Sequence, residues 1–170
     1  NALIVATANP CPCGHYHEGT KRCSCTPGRV QNYLKRISGP VMERFTLHLE
    51  TQNQPLICEA HPLSLSSART CTQWCRNELQ IRSKWTWSAN AKITLQQHVE
   101  LHGVSPRGRQ KLETIATVHA LVDYFSQQPL KNSTSSAIKI TAKDVRFAGQ
   151  MRIFDRPNWW NMDRSKLPTT

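Results

Sequence analysis

Four cysteines fall within residues 11–25, as Cys11-Pro12-Cys13 and Cys23-Ser24-Cys25, in a stretch of Gly, His and small polar residues with no helical or strand period. A segment this poor in large apolar side chains cannot order itself by burial, so something else must hold it. Zinc takes four soft or borderline ligands in a tetrahedron, and four thiolates on a short loop supply them. Metal binding would then contribute folding free energy directly. Gly14 permits the tight turn that brings the sulfurs to one centre. The alternatives are disulfides, an iron–sulfur cluster or four ordinary thiols, with His15 and His17 as substitute ligands. The seven cysteines are an odd number, and a secreted disulfide framework usually pairs all of its cysteines. This favours the cytoplasm and a structural zinc site on Cys11, Cys13, Cys23 and Cys25. Cys71 and Cys75 read as small helix-core residues, and Cys58 lacks a partner motif.

Around this loop the pattern is organised in two parts. Residues 3–7 are a short apolar strand ending at Ala8-Asn9-Pro10. Thr26-Pro27 opens a helix, Thr as N-cap and Pro at the first helical position. Val30, Tyr33, Leu34 and Ile37 follow at helical spacing, and Gly39-Pro40 ends it. Phe45, Leu47 and Leu49 alternate with Thr46, His48 and Glu50, predicting a half-buried strand with its apolar side inward. Residues 51–63 read as a linker. From about Ser67 a helix carries Ala68, Cys71, Cys75 and Leu79 on one stripe. Residues 83–93 look irregular, anchored by Trp85 and Trp87. A short helix covers Thr94 to Leu101 and closes at His102-Gly103. Ser105 caps a longer helix with Leu112, Ile115, His119 and Val122 facing the core. Residues 129–137 form a loop, and Thr141 caps a last helix carrying Val145, Ala148 and Met151 or Arg152. Residues 155–170 are an unassigned tail. No internal repeat is present.

The formal charge is +11, from 22 Lys and Arg against 11 Asp and Glu. Such an excess favours polyanions, nucleic acid first and nucleotides second. No run approaches the ~18 consecutive apolar residues of a membrane span, and no signal-peptide pattern opens the chain. It begins at Asn1 and enters at once into Ala2-Leu3-Ile4-Val5-Ala6, as an excerpt of a longer protein would.

The run Ala6-Thr7-Ala8-Asn9-Pro10-Cys11-Pro12-Cys13-Gly14, with Arg22-Cys23-Ser24-Cys25-Thr26-Pro27, resembles the magnesium-chelatase-like AAA+ ATPases of the ComM type. So do Tyr33-Leu34-Lys35-Arg36-Ile37-Ser38-Gly39-Pro40 and Val41-Met42-Glu43-Arg44-Phe45, and the match continues through Leu95 to Val122 and Ile140 to Met151. The resemblance implies the α/β end of an AAA+ nucleotide-binding domain over residues 1–50 (strand, zinc loop, helix, strand), followed by an all-α helical lid over 64–154. It implies a hexameric homo-oligomer that uses ATP and Mg²⁺ to drive branch migration of DNA during natural transformation.

Three site residues carry over. Asn9 matches sensor 1, where an amide that both donates and accepts can hold water and γ-phosphate together. Arg44 matches the arginine finger, which neutralises charge on the transferred phosphoryl group in a neighbouring subunit. Arg107, in Ser105-Pro106-Arg107, matches sensor 2 at a positive helix end, with Arg109 as a nearby rival. Taken without the resemblance, each is an ordinary polar residue at a strand or helix end. The sequence departs from the family pattern at Glu43 (more often Asp), Thr46 (an acidic residue), Pro106 (a small residue) and Thr114 and Thr117 (often Arg).

No Gly-x-x-x-x-Gly-Lys-Ser/Thr loop occurs, and no apolar strand ending in Asp-Glu precedes the cysteines. The 170 residues are therefore expected not to hydrolyse ATP by themselves. Two other functions fit parts of the pattern. One is a magnesium-chelatase motor subunit acting with a tetrapyrrole complex, against which the cysteine pairs argue. The other is a zinc-stabilised nucleic-acid-binding module without catalysis, which suits Lys21, Arg22, Arg29, Lys35 and Arg36.

Overall fold

The computed structural model describes residues 3–16, 22–37, 39–49, 64–80, 85–127, 137–152 and 155. The expected linker at 51–63, most of the loop at 129–137, and the tail after Asp155 lie outside them, as do His17, Lys21, Cys58, Trp159 and Trp160. Among the described residues the chain is mostly helical with one small parallel sheet, and it divides into two compact units.

The first unit runs to Phe45. Helix α1 (Pro27–Leu34) begins as its sequence predicts, with the Thr26 hydroxyl accepting from the Arg29 N–H at 3.4 Å. Val30 is its buried residue. A short helix α2 (Gly39–Met42) follows at the Ser-Gly-Pro block. Residues 3–7, expected to be a strand, are exposed and form none, and Ala8 and Asn9 after them are exposed too. Leu3, Ile4 and Val5 are 91%, 73% and 77% exposed. An apolar run becomes a strand only where a sheet edge accepts its backbone, and the described residues of this unit offer none.

The second unit takes in Thr46–Leu49 and the residues from Ser64 onward. Its helices are α3 (Leu65–Gln80), α4 (Ala89–His102), α5 (Pro106–Gln127) and α6 (Ala142–Gln150). α5 is the spine. Ser105 caps it, its hydroxyl accepting from the Gly108 N–H at 3.1 Å. Leu112, Ile115, Ala116, Ala120 and Leu121 form its buried face. Val122 does not join that face and is 42% exposed; at 100° per residue it lies one step round the helix from Leu121, which takes the inward place. Ala91 and Leu95 of α4, Val145 and Ala148 of α6, and Cys75 of α3 complete the core. Trp74 of α3 stacks on Tyr124 at 5.8 Å between ring centroids. Burial, and next the neighbouring Cys71, pushes the Cys75 thiol up to about 12, which suits an inert core sulfur.

The expectation of an all-helical second half needs correction. Residues 85–87 and 138–140 are strands β1 (Trp85–Trp87) and β2 (Ile138–Ile140), paired in parallel with Trp85 opposite Ile138 and Trp87 opposite Ile140. The tryptophans and isoleucines face the core while Thr86 and Lys139 face out. The Ser88 N–H extends the pairing to the Ile140 carbonyl at 3.0 Å. Ser88 also caps α4, accepting from Ala91 N–H at 3.1 Å, so that helix starts five residues before the expected Thr94. It closes as expected at Gly103, whose φ of 60° suits the left-handed cap.

Thr46–Leu49 is inverted relative to its predicted polarity. His48 is buried, its N–H donating to the Met151 carbonyl at 2.7 Å, whereas Leu47 and Leu49 are 50% and 63% exposed. The one bridge here pairs His48 with Arg152, which fixes His48 inward and turns its neighbours out.

Asp144 ties His119 of α5 to the start of α6. Its Oδ2 accepts from the Thr141 N–H at 2.7 Å and the Thr141 hydroxyl at 2.8 Å, and its Oδ1 lies 2.7 Å from His119 Nδ1. Burial, the largest influence on this carboxyl, acts to raise its pKa, but the Thr141 N–H, His119 and the Thr141 hydroxyl together lower it. An ionised carboxylate only accepts, so Nδ1 donates. The depressed pKa means that Asp144 contributes stability above the ordinary carboxylate range, and that this contribution disappears as pH falls through its lowered folded value. Asp144→Ala is expected to cost about 1–2 kcal/mol at neutral pH, the usual worth of a helix cap. It should also flatten the acid limb of stability measured by thermal unfolding from neutral pH to about pH 2. An acid limb identical to wild type would exclude this role.

Candidate functional site

The cysteine loop lies wholly within the first unit and begins two residues after Asn9. Cys11 opens a turn in which the Gly14 N–H donates to the Cys11 carbonyl at 3.1 Å. Gly14 has φ of 83°, a left-handed conformation that a β-carbon disfavours. That turn folds the first Cys-x-Cys pair back toward the second. Cys11 Sγ lies 3.3 Å from Cys13 Sγ and 3.8 Å from Cys23 Sγ, and Cys13 Sγ lies 3.5 Å from Cys23 Sγ. All four sulfurs are within 4.8 Å of one another. Zinc–sulfur bonds of about 2.3 Å in a tetrahedron require sulfurs about 3.8 Å apart, so this donor set fits a single ion. The spacings also exceed the ~2.05 Å of a disulfide, and the four cysteines are free thiols. Cys11 is fully buried and the other three are half-buried.

Backbone amides supply the surrounding polarity. The Cys25 N–H donates to Cys23 Sγ at 3.4 Å. The His15 N–H, then the Cys11 thiol and the Ser24 N–H, hold Cys13 down at about 5. Cys23 behaves oppositely. The Cys25 N–H is its largest single influence and lowers it, but burial and the Cys13 and Cys11 thiols outweigh that and push it up to about 12. Four sulfurs at these distances cannot all ionise without a cation among them, and a divalent metal removes the conflict. His15 lies in the same turn region and is half-buried; the four sulfurs complete a tetrahedral set without it.

Asn9 is exposed, and its carboxamide rests against Gly14, 3.8 Å from where a β-carbon there would stand. Arg44 is exposed in the turn after α2, its Nη1 donating to the Pro40 carbonyl at 2.8 Å. Arg107 is exposed in the first turn of α5, in the second unit, two residues after the capping Ser105. Arg109 is half-buried and engaged with Glu113 at 3.2 Å and Gln96 at 2.9 Å. Asn9 and the cysteines thus share one loop, while Arg44 and Arg107 occupy separate places in the chain. Two polar residues of the second unit escaped the sequence reading as functional candidates. Lys111 donates to the Thr46 hydroxyl at 3.2 Å, and the fully buried Arg152 forks onto Asp155 and donates to the Thr46 carbonyl at 3.1 Å. Lys111 was legible as a residue one helical turn beyond Arg107; nothing in the local pattern marks Arg152.

Among the described residues no helix is long and apolar enough to cross a membrane. Residues 1–57 match the family described as magnesium chelatase, subunit ChlI. An uncharacterized protein YifB of Salmonella typhimurium is 31% identical over 153 residues, covering 78% of this chain and 30% of the relative. The Escherichia coli protein of the same name is 46% identical over 52 residues, 31% of this chain and 10% of that protein. The competence protein ComM of Haemophilus influenzae is 42% identical over 52 residues, again 31% of this chain and 10% of the relative. The chain therefore spans less than a third of the length of these curated relatives. No solved structure matches it. On these matches the chain belongs to the ComM/YifB-type magnesium-chelatase-like family.

Proposed function

We propose that this chain is the C-terminal part of an AAA+ ATPase that drives branch migration of DNA, and that it supplies sensor 1, the arginine finger and sensor 2 to the motor. On this reading residues 1–50 end the α/β core, residues 64–154 form the lid, and the phosphate-binding loop and Mg²⁺ ligands come from residues outside the chain. The observation that carries it is the exposed Arg44, tethered through Pro40 within the stretch matched by the magnesium chelatase family. A guanidinium held by its own backbone and open to solvent suits a residue that acts on a neighbouring subunit's nucleotide, and so requires a homo-oligomer, here a hexamer.

Asn9 would hold the attacking water against the γ-phosphate, accepting from one and donating to the other. Arg44 would neutralise charge on the phosphoryl oxygens as they separate. Arg107 would contact the phosphates from the lid, where the cap leaves the positive helix end open to an anion. Zinc on the four cysteines would hold the loop, and through Gly14 would support the Asn9 carboxamide. The net charge of +11 favours DNA as partner, and the odd number of cysteines, seven, favours the cytoplasm.

The direct test is ATP-dependent branch migration of a synthetic DNA junction by the full-length protein. Arg107→Ala is expected to slow it about a hundredfold, the usual cost of losing one charge-stabilising donor. Wild-type protein that hydrolyses ATP but never moves a junction would leave the ATPase and sink the DNA role.

A further inference from the structure

The two units partner their cations differently. In the second, Arg109 meets Glu113, Lys143 meets Asp123 and Arg152 meets Asp155. In the first, Glu43 is the carboxylate among the described residues, against Arg22, Arg29, Lys35, Arg36 and Arg44. Arg44 is bonded to the Pro40 carbonyl. The side chains of Arg22, Arg29, Lys35 and Arg36 are exposed and make no hydrogen bond or ion pair among the described residues.

Three of these four belong to one element. Arg29 lies on α1 and Lys35 caps its C-terminal end. Arg36 follows with its N–H on the Tyr33 carbonyl at 3.2 Å, which carries the helical turn past the cap. Val30 takes the inward side, leaving Arg29, Gln31, Asn32, Lys35 and Arg36 exposed. No acid interrupts them. Arg22 stands apart, because it precedes Cys23, and a zinc ion among four thiolates leaves the loop negative beside it. The α1 cations have no such charge next to them in the chain.

Charges of one sign gathered on one short helix raise its self-repulsion, and a polyanion reverses the sign of that interaction. Guanidinium and ammonium groups meet phosphate oxygens well and read no base sequence in doing so. A duplex presents one phosphate charge per ~1.7 Å of its axis. The ~10 Å of helix between Arg29 and Arg36 therefore spans several of them.

We propose that the exposed face of α1, through Arg29, Lys35 and Arg36, binds the phosphate backbone of duplex DNA. This deepens the DNA-motor reading above and rests on it for the choice of DNA among polyanions.

The test is fluorescence anisotropy of a labelled DNA duplex of about 20 base pairs, titrated with the zinc-supplied chain between about 50 and 200 mM salt. The triple variant Arg29→Gln/Lys35→Gln/Arg36→Gln is expected to bind about tenfold more weakly at low salt, with a salt slope smaller by about two to three. The loss should be equal on two unrelated sequences. Arg69→Gln/Arg76→Gln/Arg146→Gln removes the same charge from exposed positions of the second unit and should cost less than about threefold. Zinc content should match wild type in both variants. Arg36→Glu alone replaces the α1 triple if that one fails to fold.

Binding by the α1 triple within about twofold of wild type would overturn the proposal. So would a wild-type chain that binds no duplex at about 50 mM salt. An equal loss in the second-unit triple would reduce the effect to bulk charge and overturn it as well. Tighter binding to duplex RNA or to polyglutamate, abolished in the α1 triple, would give the face to RNA or to an acidic protein instead. The full-length protein separates this from the motor reading. Wild-type protein that never moves a junction, while the α1 triple loses DNA binding, would end the branch-migration role and keep the face. Junction movement and DNA binding both unchanged in the α1 triple would do the reverse.

Discussion

Arg44→Ala in the full-length protein is expected to lower ATP turnover about a thousandfold while leaving nucleotide affinity within a few fold, since a finger acts on charge that develops only during transfer. The residue's setting makes the test clean. Its guanidinium is exposed and donates to the Pro40 carbonyl one turn back, so replacing it opens no cavity. The fold should therefore survive, and the variant should still assemble. Lysine at the same position keeps the charge but not the planar fork, and should recover only a small part of the rate. Assembly supplies a second readout. Doping wild-type protein with Arg44→Ala subunits should poison neighbours, so that activity falls faster than the fraction of variant added. Turnover within twofold of wild type, or a strictly proportional loss on mixing, would remove Arg44 from the chemistry.

The second large effect is expected at the cysteines. Replacing Cys11 with serine should take the bound zinc from one ion per chain to none, and unfold residues 10–26 while the second unit keeps its own transition. Cys11 is the fully buried cysteine of the four, and its carbonyl also closes the turn at Gly14, so its loss removes an inner corner of the loop. The sulfurs have no apolar core to fall back on: Val30 is the other buried hydrophobic residue among those described in this unit. Zinc content by elemental analysis and backbone protection by hydrogen exchange would check this. Because the Asn9 carboxamide lies beside Gly14, ATP turnover of the full-length variant should fall too. Retained protection of residues 10–26 in metal-free protein would contradict the loop's dependence on the ion.

Much of this arrangement is legible from residue types alone. Two Cys-x-Cys pairs in a polar stretch point to a metal because no other force is available there, and Thr26-Pro27, Ser105 and His102-Gly103 mark helix ends through chemistry that acts within four residues. The spacing of Leu112, Ile115 and His119 likewise identifies the spine helix, although Val122, read with them, lies outward. What stayed hidden depends on partners distant in sequence. Trp85-Thr86-Trp87 and Ile138-Lys139-Ile140 are too short to establish a period, and each becomes a strand only because the other is present. Leu47 and Leu49 alternate as a buried face should, yet one backbone bridge between His48 and Arg152 reverses the segment, a tertiary contact that no local pattern encodes. Arg152 makes the same point, since a guanidinium becomes an interior group only when Asp155 and the Thr46 carbonyl are already there to receive it.

The parallel pairing of residues 85–87 with 138–140 has a kinetic corollary. Helices α4 and α5 can each begin from contacts a few residues apart, but the two strands must find each other across some fifty positions of chain before either is worth forming. Loop closure over that distance, rather than helix growth, should then limit how fast the unit matures, so it ought to fold more slowly than a plain bundle of its size.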